Sequence, residues 1–288
     1  MQVLRIIVRG AAILIVLSAV IIVCMAIYVR SNLAHKAQAL QQSRTVSPGG
    51  LNGRVDFAKL AALPAPVERY FRTALTEGQP FIHVAHWKQT GELATNPDES
   101  SYLPFQAEQT ANARKPAFLW NARVSVAPVL FIRVADSYIN GIASGSVYLL
   151  SAIPMANRSA EKELNQGALF RYLAESVWYP TALLPENGVQ WRSIDSHRAL
   201  ATLSDGGNTV SLEFRFSEDG LVQSIYTQDR PGLFDGEYVT YPWEGRFQDY
   251  RKVDGMMIPF RGEVGWHLPE GFWLFWKGDL DRIQYQWQ

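Results

Sequence analysis

The chain has 288 residues, no formal net charge at pH 7 and 48% hydrophobic residues, among them nine tryptophans. Residues 1–55 contain six basic residues and no acidic one, so residues 56–288 hold 21 basic and 27 acidic residues, a net charge of −6. This charge argues against a nucleic-acid partner, which requires a basic face, and the single cysteine, Cys24, excludes a disulfide or a thiolate metal site in residues 56–288.

An uncharged segment lies at the N-terminus. Residues 10–29 contain no charge and are bounded by Arg9 and Arg30. A helix of this length spans about 30 Å, the thickness of the hydrocarbon core of a membrane. We therefore predict a transmembrane anchor within residues 1–30. A cleaved signal peptide is the alternative, although its apolar core is usually about 7–15 residues long.

The sequence after the anchor is polar from residue 31 to residue 55. It includes Ser47-Pro48-Gly49-Gly50, which is typical of a flexible tether. Basic residues stand on both sides of the apolar segment, and the whole basic section suits anionic lipid headgroups. An anchor ahead of one large domain most simply leaves residues 56–288 outside the cytoplasm, which means the periplasm in a Gram-negative cell.

Two helices are expected in this domain. Pro64 and Pro66 lie at the start of the first, which ends before Gly78. The second covers about residues 161–178 and stops before Pro180. Apolar residues recur at helical spacing in both segments: Val67, Tyr70, Phe71, Ala74 and Leu75 in the first, and Leu164, Ala168, Leu169, Tyr172, Leu173 and Val177 in the second.

Most of the remaining chain has the pattern of β-strands joined by short turns. Asp254-Gly255 between two apolar runs indicates a tight type I′ hairpin, because both central residues of that turn need positive φ. The predicted strands cover residues 82–94, 103–111, 117–126, 131–139, 146–153, 188–194, 198–204, 209–216, 221–227, the hairpin 243–266, and 272–287.

The number of strands determines the expected fold. Consecutive strands with short turns predict an antiparallel sheet, and two helices cannot cover both faces of about ten strands. We therefore predict a β-rich α+β domain at residues 56–288, in which a curled sheet, or half barrel, packs over one or two helices.

No metal, cofactor or nucleophile motif is evident. His83 and His86 are three residues apart on a predicted strand and therefore point to opposite faces. The sequence has no H-E-x-x-H, G-x-S-x-G, phosphate-loop or dinucleotide pattern. We expect neither a metal site nor a cofactor.

Three carboxylates lie among aromatic residues and have two interpretations. Glu175, Glu213 and Glu244 are candidates for a general acid with a raised pKa. Alternatively, each lies on a solvated face or pairs with an arginine such as Arg215 or Arg246, and we favour this structural interpretation.

Aromatic residues concentrate at the C-terminus, and they either fill a core or line an apolar cavity. The last 23 residues contain four tryptophans, and barrels of this size can hold a small ligand. An apolar loop at residues 179–185 is expected at the mouth of such a cavity. The candidate ligand-binding residues are Trp178, Tyr179, Leu183, Trp243, Trp266, Trp273 and Trp276.

Two stretches resemble an uncharacterised family of bacterial membrane-anchored proteins, a domain of unknown function. They are Ala174-Glu175-Ser176-Val177-Trp178-Tyr179-Pro180 with its continuation to Pro185, and Pro242-Trp243-Glu244-Gly245-Arg246-Phe247 with its continuation to Pro259. The pattern of Tyr250, Asp254-Gly255 and Ile258-Pro259 is also similar to the LolA and LolB lipoprotein carriers. That resemblance implies a half barrel over helices that binds acyl chains.

Three functions follow as hypotheses. The first is a membrane-tethered domain that binds a lipid or other apolar ligand in the cell envelope. The second is a structural or protein-interaction module with a solid core and an exposed aromatic patch. The third is an enzyme on an envelope substrate, with Glu175 or Glu244 as acid or base.

Overall fold

The computed structural model describes residues 2–42, 53–97 and 101–287. Part of the predicted tether, residues 43–52, and Asp98 in the loop between the first two strands lie outside the described residues. The helices are α1 (Gln2–Gln42), α2 (Phe57–Leu60), α3 (Ala65–Ala74) and α4 (Lys162–Glu175), and three short 3-10 turns follow α4 at Ser176–Trp178, Pro180–Leu183 and Pro185–Asn187.

Helix α1 is longer than the predicted anchor. Residues 31–42, which the sequence assigns to the tether, continue the helix. The reason is a second apolar stripe: Val29, Leu33 and Leu40 recur near helical spacing and are buried against the outer face of the sheet. The residues that they pack against are Ala117, Leu119 and Ala135.

Fifteen strands are described, thirteen of them in one sheet. They are β1 (Ile82–Leu93), β2 (Leu103–Asn112), β3 (Ala117–Ala127), β4 (Leu130–Ile139), β5 (Ile142–Leu149), β6 (Ile153–Ser159), β7 (Gln190–Ser193), β8 (Arg198–Asp205), β9 (Asn208–Phe216), β10 (Val222–Thr227), β11 (Pro231–Phe234), β12 (Glu237–Thr240), β13 (Trp243–Val253), β14 (Met256–Leu268) and β15 (Gly271–Trp287).

The large sheet has the order β6-β5-β4-β3-β2-β1-β15-β14-β13-β10-β9-β8-β7, and neighbouring strands pair antiparallel. Strands β11 and β12 form a separate hairpin. The C-terminal strand β15 lies between β1 and β14, so the two ends of the domain sequence meet in the middle of the sheet. The predicted antiparallel fold with helices and an apolar N-terminal helix is confirmed.

The sheet curls until turns from its two halves touch. Gly141, in the β4–β5 turn, and Gly206, in the β8–β9 turn, approach so closely that a Cβ added to Gly141 would lie 2.6 Å from Gly206 Cα. Beside them, Tyr138 Oη donates to Asp205 O at 3.2 Å, and Asn208 Nδ2 donates to Gly141 O at 3.2 Å. The outermost strands β6 and β7 do not pair with each other, so the sheet remains an open, curled barrel.

Helices α3 and α4 occupy the concave side of this sheet, opposite to α1. Four of the five predicted apolar residues lie in α3 and are fully buried, and the fifth, Leu75, directly follows the helix and is also buried. Helix α4 buries Leu169, Tyr172 and Leu173, as its spacing predicts, and the 3-10 turns after it bury Val177. Burial of these side chains against the sheet supplies most of the stability of such helices, which are too short to be stable alone.

The β13–β14 hairpin has the predicted turn. Asp254 and Gly255 have φ of 48° and 85°, and Val253 pairs with Met256. The sequence interpretation missed β6 and the β11–β12 hairpin, and it started β5 four residues late. Asp235-Gly236 at the tip of β11–β12 also has positive φ at both residues, so the same turn signal was present there.

Candidate functional site

The concave face of the sheet and α4 enclose an apolar cavity of about 390 Å³, which we call the tryptophan cavity. Its volume falls in the range of about 300–1,000 Å³ that is usual for small-molecule sites. Residues from eight strands and from the end of α4 contribute to it. Its apolar lining includes Trp120, Ile132, Val134, Trp178, Trp243, Phe247, Val264, Phe275 and Trp276.

Hydrogen bonds and glycines shape this cavity. Trp178 lies in the 3-10 turn that follows α4, and its Nε1 donates to Pro259 O at 3.0 Å, which fixes the indole against β14. A Cβ at Gly262 would lie 3.1 Å from the Trp178 ring, and one at Gly245 would lie 3.1 Å from Ile225 Cδ1. The missing side chains at these two glycines therefore leave the space that Trp178 and Ile225 occupy.

A second cavity, also of about 390 Å³, adjoins the first beneath the β11–β12 hairpin, and we call it the hairpin cavity. Pro231, Gly232, Leu233 and Phe234 of β11 line one side of it. The two cavities share six lining residues, so they meet at a common border. These residues are Ala94, Thr95, Asp136, Arg171, Arg230 and Phe275.

Arg171 is the most fully bonded charge at this border. Its Nε lies 2.7 Å from Glu175 Oε1 and its Nη1 lies 3.1 Å from Asp136 Oδ2. Gln109 completes the network, because its Nε2 donates to Glu175 Oε2 at 2.5 Å. Burial raises the pKa of the Asp136 carboxyl, and the Arg171 charge opposes that rise.

Arg230 differs from Arg171 although it lines the same cavities. Its guanidinium carbon lies 4.6 Å from the Trp243 ring centroid and 4.9 Å from that of Trp266. Its Nε is buried and has no hydrogen-bond partner among the described residues. Desolvation, with a smaller contribution from the charge of Arg171, lowers the pKa of Arg230 to about 9, so the side chain remains a cation at neutral pH.

Five of the seven candidate ligand-binding residues lie at the two cavities. Trp178, Trp243 and Trp276 line the tryptophan cavity, and Trp266 and Trp273 line the hairpin cavity. The sequence analysis expected all of them at a single cavity, whereas the fold divides them between two adjoining ones.

Tyr179 and Leu183 lie elsewhere, so the predicted loop at the cavity mouth requires correction. Both side chains are fully buried and belong to the lining of neither cavity. Tyr179 packs against Trp87 with 5.8 Å between the ring centroids. The physical reason is that the loop folds into 3-10 turns held inside the domain, where Thr181 Oγ1 accepts a hydrogen bond from Ile82 N at 3.0 Å.

The charged residues at the border were missed from the sequence. A signal existed for Arg171, because Leu164, Ala168, Arg171 and Glu175 have helical spacing and form one stripe of α4. Arg230 follows Asp229 and precedes Pro231 in what reads as a turn. Nothing local distinguishes it from a solvated arginine, and only the fold brings it between two tryptophans.

The other two candidate acids, Glu213 and Glu244, form ion pairs with neighbouring basic side chains. Glu213 lies 2.7 Å from Arg215 Nε, as the structural interpretation of these carboxylates predicts. Glu244 lies between Arg246 Nε at 2.7 Å and His267 Nε2 at 2.9 Å. Burial favours a higher pKa for Glu244, but the hydrogen bonds from Arg246 and His267 outweigh it and lower the pKa. Within residues 2–42, 53–97 and 101–287, no group of three or more metal-ligating side chains is present.

Comparisons with known proteins identify one family and two solved structures of low similarity. The model of a family of unknown function, DUF6544, matches residues 53–278. A LolA superfamily protein from Nitrosomonas europaea is 11% identical, with a TM-score of 0.43 over 78% of this chain and 94% of that one. A DUF1329 family protein from Desulfovibrio piger is also 11% identical, with a TM-score of 0.41 over 71% of this chain and 86% of that one. No curated protein matches the chain.

Proposed function

The chain belongs to the DUF6544 family of unknown function, and we propose that it is a membrane-tethered protein that binds a lipid or another apolar ligand in the tryptophan cavity. The observation that supports this function is the cavity itself: about 390 Å³ of space beneath a curled sheet, with walls of tryptophan, phenylalanine and branched aliphatic side chains. A densely packed core leaves few voids larger than a water molecule. Space of this size with apolar walls is typical of a binding site.

The lining explains how such a ligand would bind. Each Å² of apolar surface that a chain buries against these walls contributes roughly 25 cal/mol to the free energy of binding. Trp178 is held by its hydrogen bond to Pro259 O, and Trp276 stacks on Phe105 with 5.8 Å between centroids. Because these rings are already fixed, a ligand loses little affinity to the ordering of side chains.

Helix α1 supports the membrane tether in this proposal. By length and composition it is able to cross a membrane. Most of its described apolar residues before Val29 are exposed, whereas Val29, Leu33 and Leu40 are buried against the outer face of the sheet. The same helix thus offers one section to lipid and one section to the domain, which would hold the domain, outside the cytoplasm, close to the membrane surface.

The interaction-module alternative predicts an exposed aromatic patch. Among the described side chains, the large hydrophobic ones that are exposed outside α1 are aliphatic: Val126, Val129, Leu130, Ile142, Ile153, Met155, Ile194 and Leu233. The tryptophans instead face the core or the two cavities. This distribution favours a ligand inside the domain over a partner protein on an aromatic surface.

Native mass spectrometry of the full chain, released from non-ionic micelles, tests the proposal. We expect a stoichiometric adduct that extracts into organic solvent. Val264→Trp, which fills the tryptophan cavity, should abolish the adduct, whereas Val129→Trp, at a residue that is 87% exposed, should retain it. A bare mass for the wild type, or an adduct that persists in Val264→Trp, would contradict the proposal.

A further inference from the structure

Arg230 is a cation at the border of two cavities without an ion-pair partner in the part of the chain that the structure describes. The neighbouring carboxylates are engaged elsewhere, because Glu175 and Asp136 both bond to Arg171. The faces of Trp243 and Trp266 stabilise the guanidinium through cation–π contacts. These contacts do not use its N–H donors, and its buried Nε makes no hydrogen bond to the described residues.

The tryptophans around the cavities add to this surplus of donors. The indole N–H groups of Trp120, Trp243 and Trp273 are buried and have no hydrogen-bond partner among the residues described. Together with Arg230 Nε, these are N–H groups, which donate hydrogen bonds and cannot accept them. Since buried polar groups are normally paired, such a set indicates a missing acceptor.

We propose that Arg230 binds the negatively charged headgroup of an amphiphile whose apolar chain lies in the tryptophan cavity. This inference rests on the proposed function and specifies its ligand class: a carboxylate or phosphate on an apolar chain. The headgroup lies at the border of the cavities, where Arg230 is reached from both, and the chain extends past Trp178 and Trp276.

The chemistry of the guanidinium explains the selectivity. Its planar fork forms two parallel hydrogen bonds to one carboxylate or phosphate, and hydrogen bonds between charged groups are roughly twice as strong as neutral ones. A buried charge without a direct ion pair is costly, and a bound anion lowers that cost. A neutral alcohol of the same length fills the same cavity but gives Arg230 no ion pair, so it binds more weakly.

Four probes of the same chain length distinguish the contribution of the headgroup to binding from that of the apolar chain. Dodecanoate, dodecyl phosphate, dodecanol and dodecyltrimethylammonium are each titrated against the full chain in non-ionic micelles, and bound probe is measured by native mass spectrometry. The variants are Arg230→Gln, Arg230→Lys and the control Arg251→Gln. The control removes another arginine that stacks on a ring, 4.4 Å from the Phe260 centroid, but that lies outside both cavities.

The wild type should bind the two anions about tenfold to a hundredfold more tightly than dodecanol. This ratio of dissociation constants corresponds to the contribution of one hydrogen bond to a charged group. Arg230→Gln should lower anion binding to the level of dodecanol and leave dodecanol unchanged. Arg230→Lys should retain part of the preference, and Arg251→Gln should retain all of it. A preference for only one of the anions would identify the headgroup as a carboxylate or as a phosphate.

Two other results would overturn the inference in different ways. Equal binding of dodecanoate, dodecyl phosphate and dodecanol, unchanged in Arg230→Gln, would refute the headgroup site but leave the apolar cavity as a binding site. Absence of binding for all four probes would refute the proposed function and this inference together. If Arg230→Gln does not fold, the headgroup site is tested by Arg230→Lys and by the comparison of the four probes on the wild type.

Discussion

Arg171 and Arg230 line the same two cavities, yet Arg171 lies within 3.1 Å of two carboxylates, whereas Arg230 stacks between two tryptophans and forms no ion pair with the residues described. The two arginines therefore have different roles. Arg171 forms ion pairs with both acids, whereas Arg230 is attracted by the same two carboxylates at longer range and offers N–H donors that no described carboxylate binds directly.

The first prediction concerns stability at this border. Arg171→Met should lower the free energy of unfolding by about 3 kcal/mol, because it leaves Glu175 and Asp136 without their partner in a partly buried site. Arg230→Met should cost about 1 kcal/mol or less, since it removes only cation–π contacts and also removes an uncompensated charge. Chemical unfolding of both variants, in the same micelles, measures the difference. Equal losses of stability in the two variants would contradict this prediction, because they would show that the ion pairs of Arg171 contribute no more to stability than the ring contacts of Arg230.

The second prediction concerns pH. The pKa of Glu244 in the folded protein is lowered from its ordinary 4.5, chiefly by Arg246 and His267 acting against burial. The unfolded state therefore binds the proton more tightly, so the carboxylate stabilises the fold above the ordinary pKa. This contribution is lost as the pH falls through the folded pKa.

Thermal unfolding of Glu244→Gln against pH measures this contribution. The variant should be less stable than the wild type at neutral pH, and the difference should shrink in acid. Glu237→Gln, at an exposed position of the β11–β12 hairpin, provides the control and should follow the wild type at every pH. A Glu244→Gln difference that does not change with pH would contradict the assignment.

The third prediction tests the contact between the two halves of the sheet. Gly206→Ala should destabilise the fold by about 2–3 kcal/mol, because its φ is 56° and the new Cβ would lie 2.3 Å from Gly141 Cα. Gly207→Ala also has positive φ, 81°, but no atom lies within 4 Å of the added Cβ, so it should cost only about 1 kcal/mol. Equal costs at the two glycines, measured by chemical unfolding, would mean that the turns do not touch in solution.

The fourth prediction concerns the anchor and its orientation. In a Cys24→Ser background, a cysteine introduced at Asp235, an exposed residue in the β11–β12 turn, should react with a membrane-impermeant maleimide in intact spheroplasts. A cysteine introduced at Gln2 should react only after lysis. The intact mass of the purified protein should include residues 1–30. The opposite labelling pattern would place the domain in the cytoplasm, and a mass that lacks the N-terminus would identify a cleaved signal peptide.

The sequence alone predicted most of the local structure and the family. The apolar stripes of α3 and α4, the Asp254-Gly255 turn and the antiparallel strands follow from spacing and turn chemistry that act within a few residues. The fold class follows from counting, since two helices cannot cover both faces of so many strands. The predicted anchor ended too early, because the apolar stripe of Val29, Leu33 and Leu40 continues α1 past the membrane segment, and the surface that this stripe contacts, Ala117 and Leu119, is distant in the chain.

The tertiary structure decided the site. Trp178 and Tyr179 are adjacent in sequence and similar in chemistry, but one lines the tryptophan cavity and the other is packed in the core. Arg230 reads as a turn residue until the fold places it between Trp243 and Trp266. Composition and periodicity determine which side chains are buried. Whether a buried side chain meets another side chain or empty space depends on how distant strands curl around α4, and no local pattern specifies that.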